Sequence, residues 1–565
     1  MLAQLTACLL APHLPISEKE LASAIEIPPR PELGDAAFPC FTLAKTMRQS
    51  PQSIAERTAD AVNGTDEGVR AETAGGYLNL FFDPAVWGNR ILTRVMAGDY
   101  GRLQDGQGRR VVIDMSSPNI AKPFGIGHLR STMIGNALAN VYQAAGYRVT
   151  RVNHLGDWGT QFGKLIAAYR RWGDRALLEA EPIRESLRLY VKFHEEAESN
   201  PELEDEAREW FRKLETGDGE TRGLWRFFVD ESLKEFDRVY ARLGVRFDLV
   251  LGESFYNDKM EAVVDRLTEL SLLEESDGAQ VVRLEELGMP PCLILKSDGT
   301  TIYPIRDLAT AVYRKKQLGA DLLLYVVGAE QTLHFQQVFA VLGKMGEAWH
   351  ADCRHVPFGL MKFEGKKMST RRGKVVFLDE VLDEAAAKAL QVIEAKNPEL
   401  ENKRETAEAI GVGAIVFADL RNRRQLSVDF QLEEAIGFEG ETGPYLQYTY
   451  ARILSLLRKG KYEEFAARGK AAEGRHMSSP AAWACLKTAS RFEESILQAV
   501  RENEPSVIGR YLLELAKDFN RYYNEGKMLT EDGEETFGKL SVAAACAKVL
   551  KQGLQLLGIR TPERI

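Results

Sequence analysis

Val111-Val112-Ile113-Asp114-Met115 runs into Ser116-Ser117-Pro118-Asn119-Ile120-Ala121-Lys122-Pro123-Phe124-Gly125-Ile126-Gly127-His128, and the stretch closes on Tyr147-Arg148-Val149-Thr150-Arg151-Val152-Asn153. The first run is short, apolar and β-branched, which reads as a buried strand. From about His128 to Ala145, Leu129, Met133, Ile134, Ala137, Leu138 and Val141 recur at threes and fours, predicting a helix that Gly146 stops. Tyr147 to Asn153 reads as a second strand. Strand, crossover helix and strand make a parallel βαβ unit, so the fold is α/β. Ser116 to Gly127 then joins a strand's C-terminal end to a helix N-terminus, the place where open parallel sheets bind ligands. Free amides and the helix dipole favour phosphate there, and Gly125 and Gly127 let a nucleotide approach the backbone. His128, in the first helical turn, is placed to donate to a phosphate or ribose oxygen. The spacing is neither GxGxxG nor GxxxxGK[ST], so a dinucleotide fingerprint and a P-loop do not fit. On these residues alone, a tight glycine turn with a capping histidine is an equal alternative.

On the N-terminal side, residues 1 to about 95 form a first unit. It ends in a strand, Gly76 to Phe82, broken by Asp83-Pro84, and a turn-rich linker follows from Asp99 to Gly108. Beyond the βαβ unit, residues from about 170 to 300 are charged and largely helical in period, which marks an insertion. The α/β pattern returns with a strand at Leu322–Val327, a helix from about Gln331 to Met345, and a strand at His355–Met361. From about Thr406 the chain reads as helical to its end. Three domains are therefore expected, over 1–95, 96–405 and 406–565.

At 565 residues the chain exceeds what one hydrophobic core supports. Lys and Arg number 73 against 82 Asp and Glu, a net charge of −9 that weighs against a polybasic nucleic-acid binder but does not exclude a local RNA-binding patch. Six scattered cysteines have neither CxxC nor zinc spacing, so they read as buried thiols in a reducing compartment rather than a metal site or disulfide framework. The first residues are a poor signal peptide and a reasonable amphipathic helix. No apolar run is long enough to span a membrane. A cytoplasmic protein is expected, with no membrane and no DNA partner.

A second loop carries chemistry. Lys362-Phe363-Glu364-Gly365-Lys366-Lys367-Met368-Ser369-Thr370-Arg371-Arg372-Gly373-Lys374 holds six basic residues against one acid. Such a loop suits a polyphosphate whose charge is neutralised during reaction, although alone it is more often a solvated basic turn. Together the two loops resemble the HIGH and KMSKS signatures of class I aminoacyl-tRNA synthetases. Further stretches narrow the resemblance to arginyl-tRNA synthetases: Val152 to Gly159, Arg306 to Ala311, Val327 to Phe335, Met368 to Arg371 and Glu439 to Tyr448. It covers nearly the whole chain and is weakest in the insertion. Two positions depart from the signatures, Gly125 for the first His and Thr370 for the second Lys.

The resemblance implies a multidomain α/β protein. A Rossmann-like parallel-sheet catalytic domain with a helical insertion and a lysine loop at 367–371 would lie between an N-terminal α+β domain touching the tRNA elbow and an all-α anticodon-binding domain. It implies a monomeric ligase that joins L-arginine to tRNA(Arg), using ATP with Mg²⁺ carried by the phosphates and no dedicated protein metal site. The catalytic residues implied are His128, Lys122 and Lys367. Asp114 and Asp307 would meet the arginine guanidinium, Tyr303 would stack on it or hydrogen-bond it, and Asn119 and Gln331 would hold the α-amino and carboxylate end. On spacing alone, Asp307 could instead cap a helix from Leu308 to Lys316. ATP would be bound by Pro118, Gly125, Gly127, His128, His334, Met361, Lys367, Met368 and Ser369. Tyr77 and Asn79 would contact a D-loop base, and Tyr445, Gln447, Tyr448, Arg452 and Arg521 the anticodon arm. Residues 451–476 support the last assignment, with seven Lys or Arg against three acids beside a run of tyrosines. Two other classes compete: a nucleotidyltransferase making a dinucleotide cofactor, which would not need the helical C-terminal region, and a non-catalytic tRNA-binding paralogue, suggested by Gly125.

Overall fold

The computed structural model describes residues 2–65, 67–296, 303–363, 376–467, 472 and 474–565. Its centre is a five-stranded parallel sheet of β1 (Arg110–Asp114), β2 (Arg148–Asn153), β3 (Leu249–Val250), β4 (Leu322–Tyr325) and β5 (Cys353–His355). The strand order is β5-β4-β1-β2-β3. Val111, Val112 and Ile113 are buried, as a central strand covered on both faces requires. The chain leaves β1 toward β2 and returns beside it as β4, so the order reverses between β1 and β4. Asp114 pairs with Tyr325 there, and the crevice beyond their C-terminal ends is the natural ligand site of such a sheet.

The N-terminal unit is α+β. Tyr77–Phe82 lies between Ala36–Pro39 and Val69–Ala74 in an antiparallel sheet backed by the helix Pro51–Asn63, against which the helix Leu2–Leu10 packs. It docks on the C-terminal helices through Asp35, which accepts from Trp483 Nε1 (3.0 Å) and Lys487 Nζ (2.7 Å). From Leu378 onward the chain is almost entirely helical, and the expected boundary near 406 falls inside the Lys403–Leu420 helix.

Four expectations need correction. The helix after β1 begins at Ile126, because Gly125 is its extended N-cap (φ −85°, ψ 164°). The strand expected over His355–Met361 is two strands: β5, and Met361–Phe363, which pairs in parallel with Val428–Phe430. Pro357 removes a ladder donor between them, and at Gly359 a Cβ would lie 2.6 Å from the Leu426 backbone, so only glycine permits the approach. The insertion is not one helical block. Five helices from Thr160 to Leu243 come first, the chain re-enters the central sheet as β3, and the helix Met260–Glu269 precedes an antiparallel sheet of Glu274–Ser276, Ala279–Val282 and Cys292–Leu295. Finally, Cys8 is exposed, whereas the other five cysteines are buried.

One buried ion pair ties the nucleotide-loop helix to the C-terminal helices. Arg130 Nε lies 2.8 Å from Asp419 Oδ1, both side chains being inaccessible. Arg130 Nη1 also donates to the carbonyls of Gly359 (2.6 Å) and Leu426 (2.8 Å).

Candidate active site

Between β1 and the Ile126–Ala144 helix the backbone is strained. Ser116, Ser117 and Ala121 have φ of +72°, +52° and +58°, a region that costs a non-glycine residue about 1–2 kcal/mol. Side chains from elsewhere hold each one: Ser116 N donates to Ser131 Oγ (3.0 Å), Ser117 N to Asn153 Oδ1 (3.2 Å) and Ala121 N to Ser232 Oγ (2.8 Å). Main-chain bonds between Ile120, Pro118 and Gly156 lock the middle of the loop. Asn119 rests against Gly156, where a Cβ would lie 2.3 Å from Asn119 Oδ1. Pro118 is buried beneath, whereas Gly127 is exposed, with open space where a side chain would stand.

His128 is the third residue of its helix. Its Nδ1 accepts the Gly125 N–H at 3.1 Å, so the ring proton resides on Nε2. Burial, helped by the Lys122 charge, pushes its pKa down to about 4. The imidazole at neutral pH is therefore a neutral donor in one fixed tautomer. Gly125, standing where the signature has its first His, supplies the amide that fixes it. Lys122 is half-buried, its Nζ 5.0 Å from the Tyr190 ring centroid. Lys367, Met368 and Ser369, with Thr370 and Arg371, lie outside the described residues.

Across the crevice stand the carboxylates. Asp114, at the end of β1, accepts Arg314 Nη1 at 2.7 Å and Ser117 Oγ at 3.0 Å, and both members of its ion pair are buried. The expected role of Asp114 in holding the substrate guanidinium is thereby corrected: an internal arginine already occupies it. Asp307 is the fifth residue of the Tyr303–Lys316 helix and so is not the cap of a helix starting at Leu308. Its Oδ2 meets His334 Nε2 at 2.5 Å. Tyr303, on the same helix, is 67% exposed, and Gln331 is an exposed residue preceding the Thr332–Lys344 helix. Met361 differs from expectation, since its side chain packs into the core.

Sequence reasoning missed Glu253, in Gly252-Glu253-Ser254-Phe255-Tyr256. Burial pushes its carboxyl up to about 7, Arg306 pulls it down, and Asp307 and Asp157 raise it further. Its contact with Arg306 is long, 3.5 Å. Asp157 accepts from Ser254 N and Oγ (2.8 and 2.6 Å). Close by lies His154, whose pKa burial lowers, with its Nδ1 buried and unpartnered. Asp307 and Glu253, the latter paired with Arg306 only at 3.5 Å, thus lie within electrostatic reach of each other, an arrangement that would suit a planar cation.

Comparison with known proteins decides the family. A model described as tRNA synthetases class I (R), catalytic domain, matches residues 91–432, one for the arginyl tRNA synthetase N terminal domain matches 2–82, and one for the DALR anticodon binding domain matches 446–565. Arginine–tRNA ligases of Lactiplantibacillus plantarum and Alkaliphilus metalliredigens are 50% and 48% identical, covering 100% and 97% of this chain and 99% and 97% of their own. The chain belongs to the arginyl-tRNA synthetases. It is an enzyme of the class I aminoacyl-tRNA synthetases, and the solved Thermus thermophilus arginyl-tRNA synthetase superposes with a TM-score of 0.82 at 27% identity, covering 100% of both chains.

In this arginyl-tRNA synthetase the residues expected to touch RNA separate into two groups. Arg452 lies over Tyr448 (4.9 Å to the ring centroid) and Tyr523 (5.4 Å), and its Nη1 donates to Asn520 Oδ1 at 3.2 Å. Asn520 Nδ2 donates to the Tyr445 hydroxyl at 2.8 Å, and Arg521 beside it is exposed. Tyr77 is half-buried, edge-on to Phe41 at 5.3 Å. Two residues do not belong with these. Gln447 is fully buried and donates to the carbonyls of Ala409 (3.0 Å) and Arg560 (2.8 Å), which makes it a tie to the C-terminal tail. Asn79 is 7% exposed, in the middle of the central strand of the N-terminal sheet. Among the described residues no cluster of His, Cys, Asp and Glu could hold a metal ion, and no helix is long and apolar enough to cross a membrane.

Proposed function

We propose that the chain activates L-arginine with ATP and passes the arginyl group to the terminal ribose of tRNA(Arg). The observation that carries the substrate assignment is the pair Glu253 and Asp307. A buried carboxylate raised to about 7 near a second one is costly to ionise, and a guanidinium would offset that cost with bidentate hydrogen bonds. Tyr303 covers the guanidinium, and Asn119 and Gln331 orient the α-amino and carboxylate end. The arginine carboxylate then attacks the α-phosphate of ATP and pyrophosphate leaves, a step that needs no protein nucleophile.

The chain's contribution is position and charge. Pro118, Gly125 and Gly127 leave the helix N-terminus open to the nucleotide, and His128 Nε2–H donates to phosphate without carrying charge. Lys122 and Lys367 bring ammonium groups to the developing negative charge. Met368 and Ser369 accompany Lys367 on the nucleotide. Mg²⁺ would be carried by the phosphate oxygens of ATP, since the loop around Ser116–His128 offers no carboxylate besides the occupied Asp114. On the tRNA side, Tyr445, Tyr448, Arg452 and Arg521 offer stacking faces and cations to unstacked anticodon bases, and Tyr77 offers a face to the elbow. Among the ATP assignments, His334 stands apart, because its bond to Asp307 favours the arginine side over the nucleotide side.

Arginine-dependent ATP–pyrophosphate exchange in the presence of tRNA tests this reading. Exchange with arginine, and none with its neutral isostere citrulline, is expected. Equal exchange with both would remove the carboxylate pair from recognition. Exchange with neither would favour a non-catalytic tRNA-binding paralogue.

A further inference from the structure

The helix Gly219–Leu243 of the insertion touches the nucleotide loop with two hydroxyls, eight residues apart on one face. Ser232 Oγ donates to Phe228 O (2.7 Å), which leaves its lone pair directed at Ala121 N (2.8 Å). Tyr240 OH accepts from Asn153 Nδ2 (3.0 Å), which leaves its proton for Ser116 Oγ (2.8 Å). Asn153 in turn holds Ser117 N, and Ser116 Oγ also receives Thr132 Oγ1 (2.8 Å) from the turn after His128. Burial raises the Tyr240 phenol, so it keeps its proton. Each of the three left-handed residues of the loop is therefore held by this helix, either directly or through Asn153.

The same helix reaches the far side of the loop. Arg242 pairs with Asp379 (2.9 Å), Asp383 (2.8 Å) and Glu408 (2.9 Å). Just before Asp379, Phe377 pairs with Gly125, and Leu378 N donates to Phe124 O (3.0 Å). Both ends of the loop thus refer back to one rigid element that carries no expected substrate contact. Without those partners a serine or alanine at positive φ relaxes to ordinary conformations, and the amides and His128 turn with it.

We propose that Tyr240 and Ser232 are positioning residues for adenylate formation, holding the Ser116–Gly127 loop in the strained shape that presents His128 and the helix N-terminus to ATP. The proposal rests on the ATP-activating reading above. Tyr240→Phe keeps the ring against Phe124 and Phe247 and removes only the hydroxyl, and Ser232→Ala removes the other anchor.

The test is arginine-dependent ATP–pyrophosphate exchange by the full chain with tRNA, with thermal melting of each variant alongside. Each variant should lower kcat/KM for ATP by about tenfold or more, the scale of one lost buried hydrogen bond. KM for arginine should rise less than KM for ATP, because Asp307 and Glu253, which meet the guanidinium, lie on other elements and only Asn119 of the loop meets the arginine. Adding Ala121→Gly to Ser232→Ala should recover most of the ATP effect, because glycine adopts positive φ without penalty. Unchanged kcat/KM for ATP in both single variants would overturn the proposal. So would a loss shared equally by ATP and arginine that follows the melting temperature, or no recovery from the glycine. Absence of exchange in the unmodified chain would instead remove the reading on which the proposal stands.

Discussion

Glu253 should give arginine binding a pH dependence of known sign. Its carboxyl sits at about 7 rather than 4.5, with the side chain 17% exposed, which corresponds to about 3 kcal/mol opposing ionisation in the empty pocket. Because the folded value is raised, this group stabilises the empty fold most at low pH. That contribution is lost as pH rises from about 4.5 through 7. Arginine binding has the opposite sign, since the guanidinium needs the ionised carboxylate, present above about 7. The arginine KM should be flat above about pH 7.5 and rise towards tenfold per unit below about 6.5, while KM for ATP stays level. His128, at about 4, stays neutral through this window and does not confound it. Glu253→Gln mimics the protonated acid in shape and charge. Its arginine KM should be pH-independent and, near pH 8, raised by about 30-fold or more, the scale of one buried charge-assisted contact. Steady-state pyrophosphate exchange across pH reads both. An arginine KM that does not move with pH in the unmodified chain, or a Gln variant indistinguishable from it near pH 8, would mean that Glu253 does not meet the guanidinium.

Asp307→Asn keeps the size of the side chain and one acceptor for His334 but removes the charge. It should cost about 2–5 kcal/mol of arginine binding or turnover, and unchanged arginine kinetics would return the residue to a structural role. Lys122→Ala should slow activation about 100-fold with little change in arginine KM, because Thr370 cannot supply the signature's second ammonium. A rate within about threefold would hand that charge to Lys367 or Arg371. Arg130→Met leaves Asp419 buried and unpaired and should cost about 3–5 kcal/mol in urea unfolding, whereas Arg130→Met with Asp419→Leu should recover much of it. Equal stability of the single and double variants would contradict this.

Much of the catalytic fold was legible because a buried parallel strand and its crossover helix obey different periods. Val111–Ile113 and the threes and fours after His128 could not exchange roles. The small antiparallel sheet was not read from the sequence, because the surrounding charge masked its turn at Asp277-Gly278, which has φ of +50° and +77°. Local pattern could not reveal the pairing of Met361–Phe363 with Val428–Phe430, which depends on a glycine approach between distant segments. The site divides in the same way. His128 and Asp307 stand in motifs, and the structure places both at the crevice. Whether a carboxylate is free is a tertiary fact, and Arg314, two turns beyond Asp307, reverses the reading of Asp114. Gln447 sits in a motif with Tyr445 and Tyr448, yet one helix face is buried and the other exposed. Tyr240 and Ser232 carry no motif, being ordinary residues of an amphipathic helix until the loop they hold is seen.

Selection of arginine by this crevice, for attachment to RNA, is open to direct measurement. Incubating the full chain with purified total tRNA, ATP and each radiolabelled amino acid in turn measures that selection directly. Arginine alone should become acid-precipitable, in an ester labile to mild base. Charging with any other amino acid, or with none while a reference synthetase charges arginine onto the same tRNA, would contradict the account.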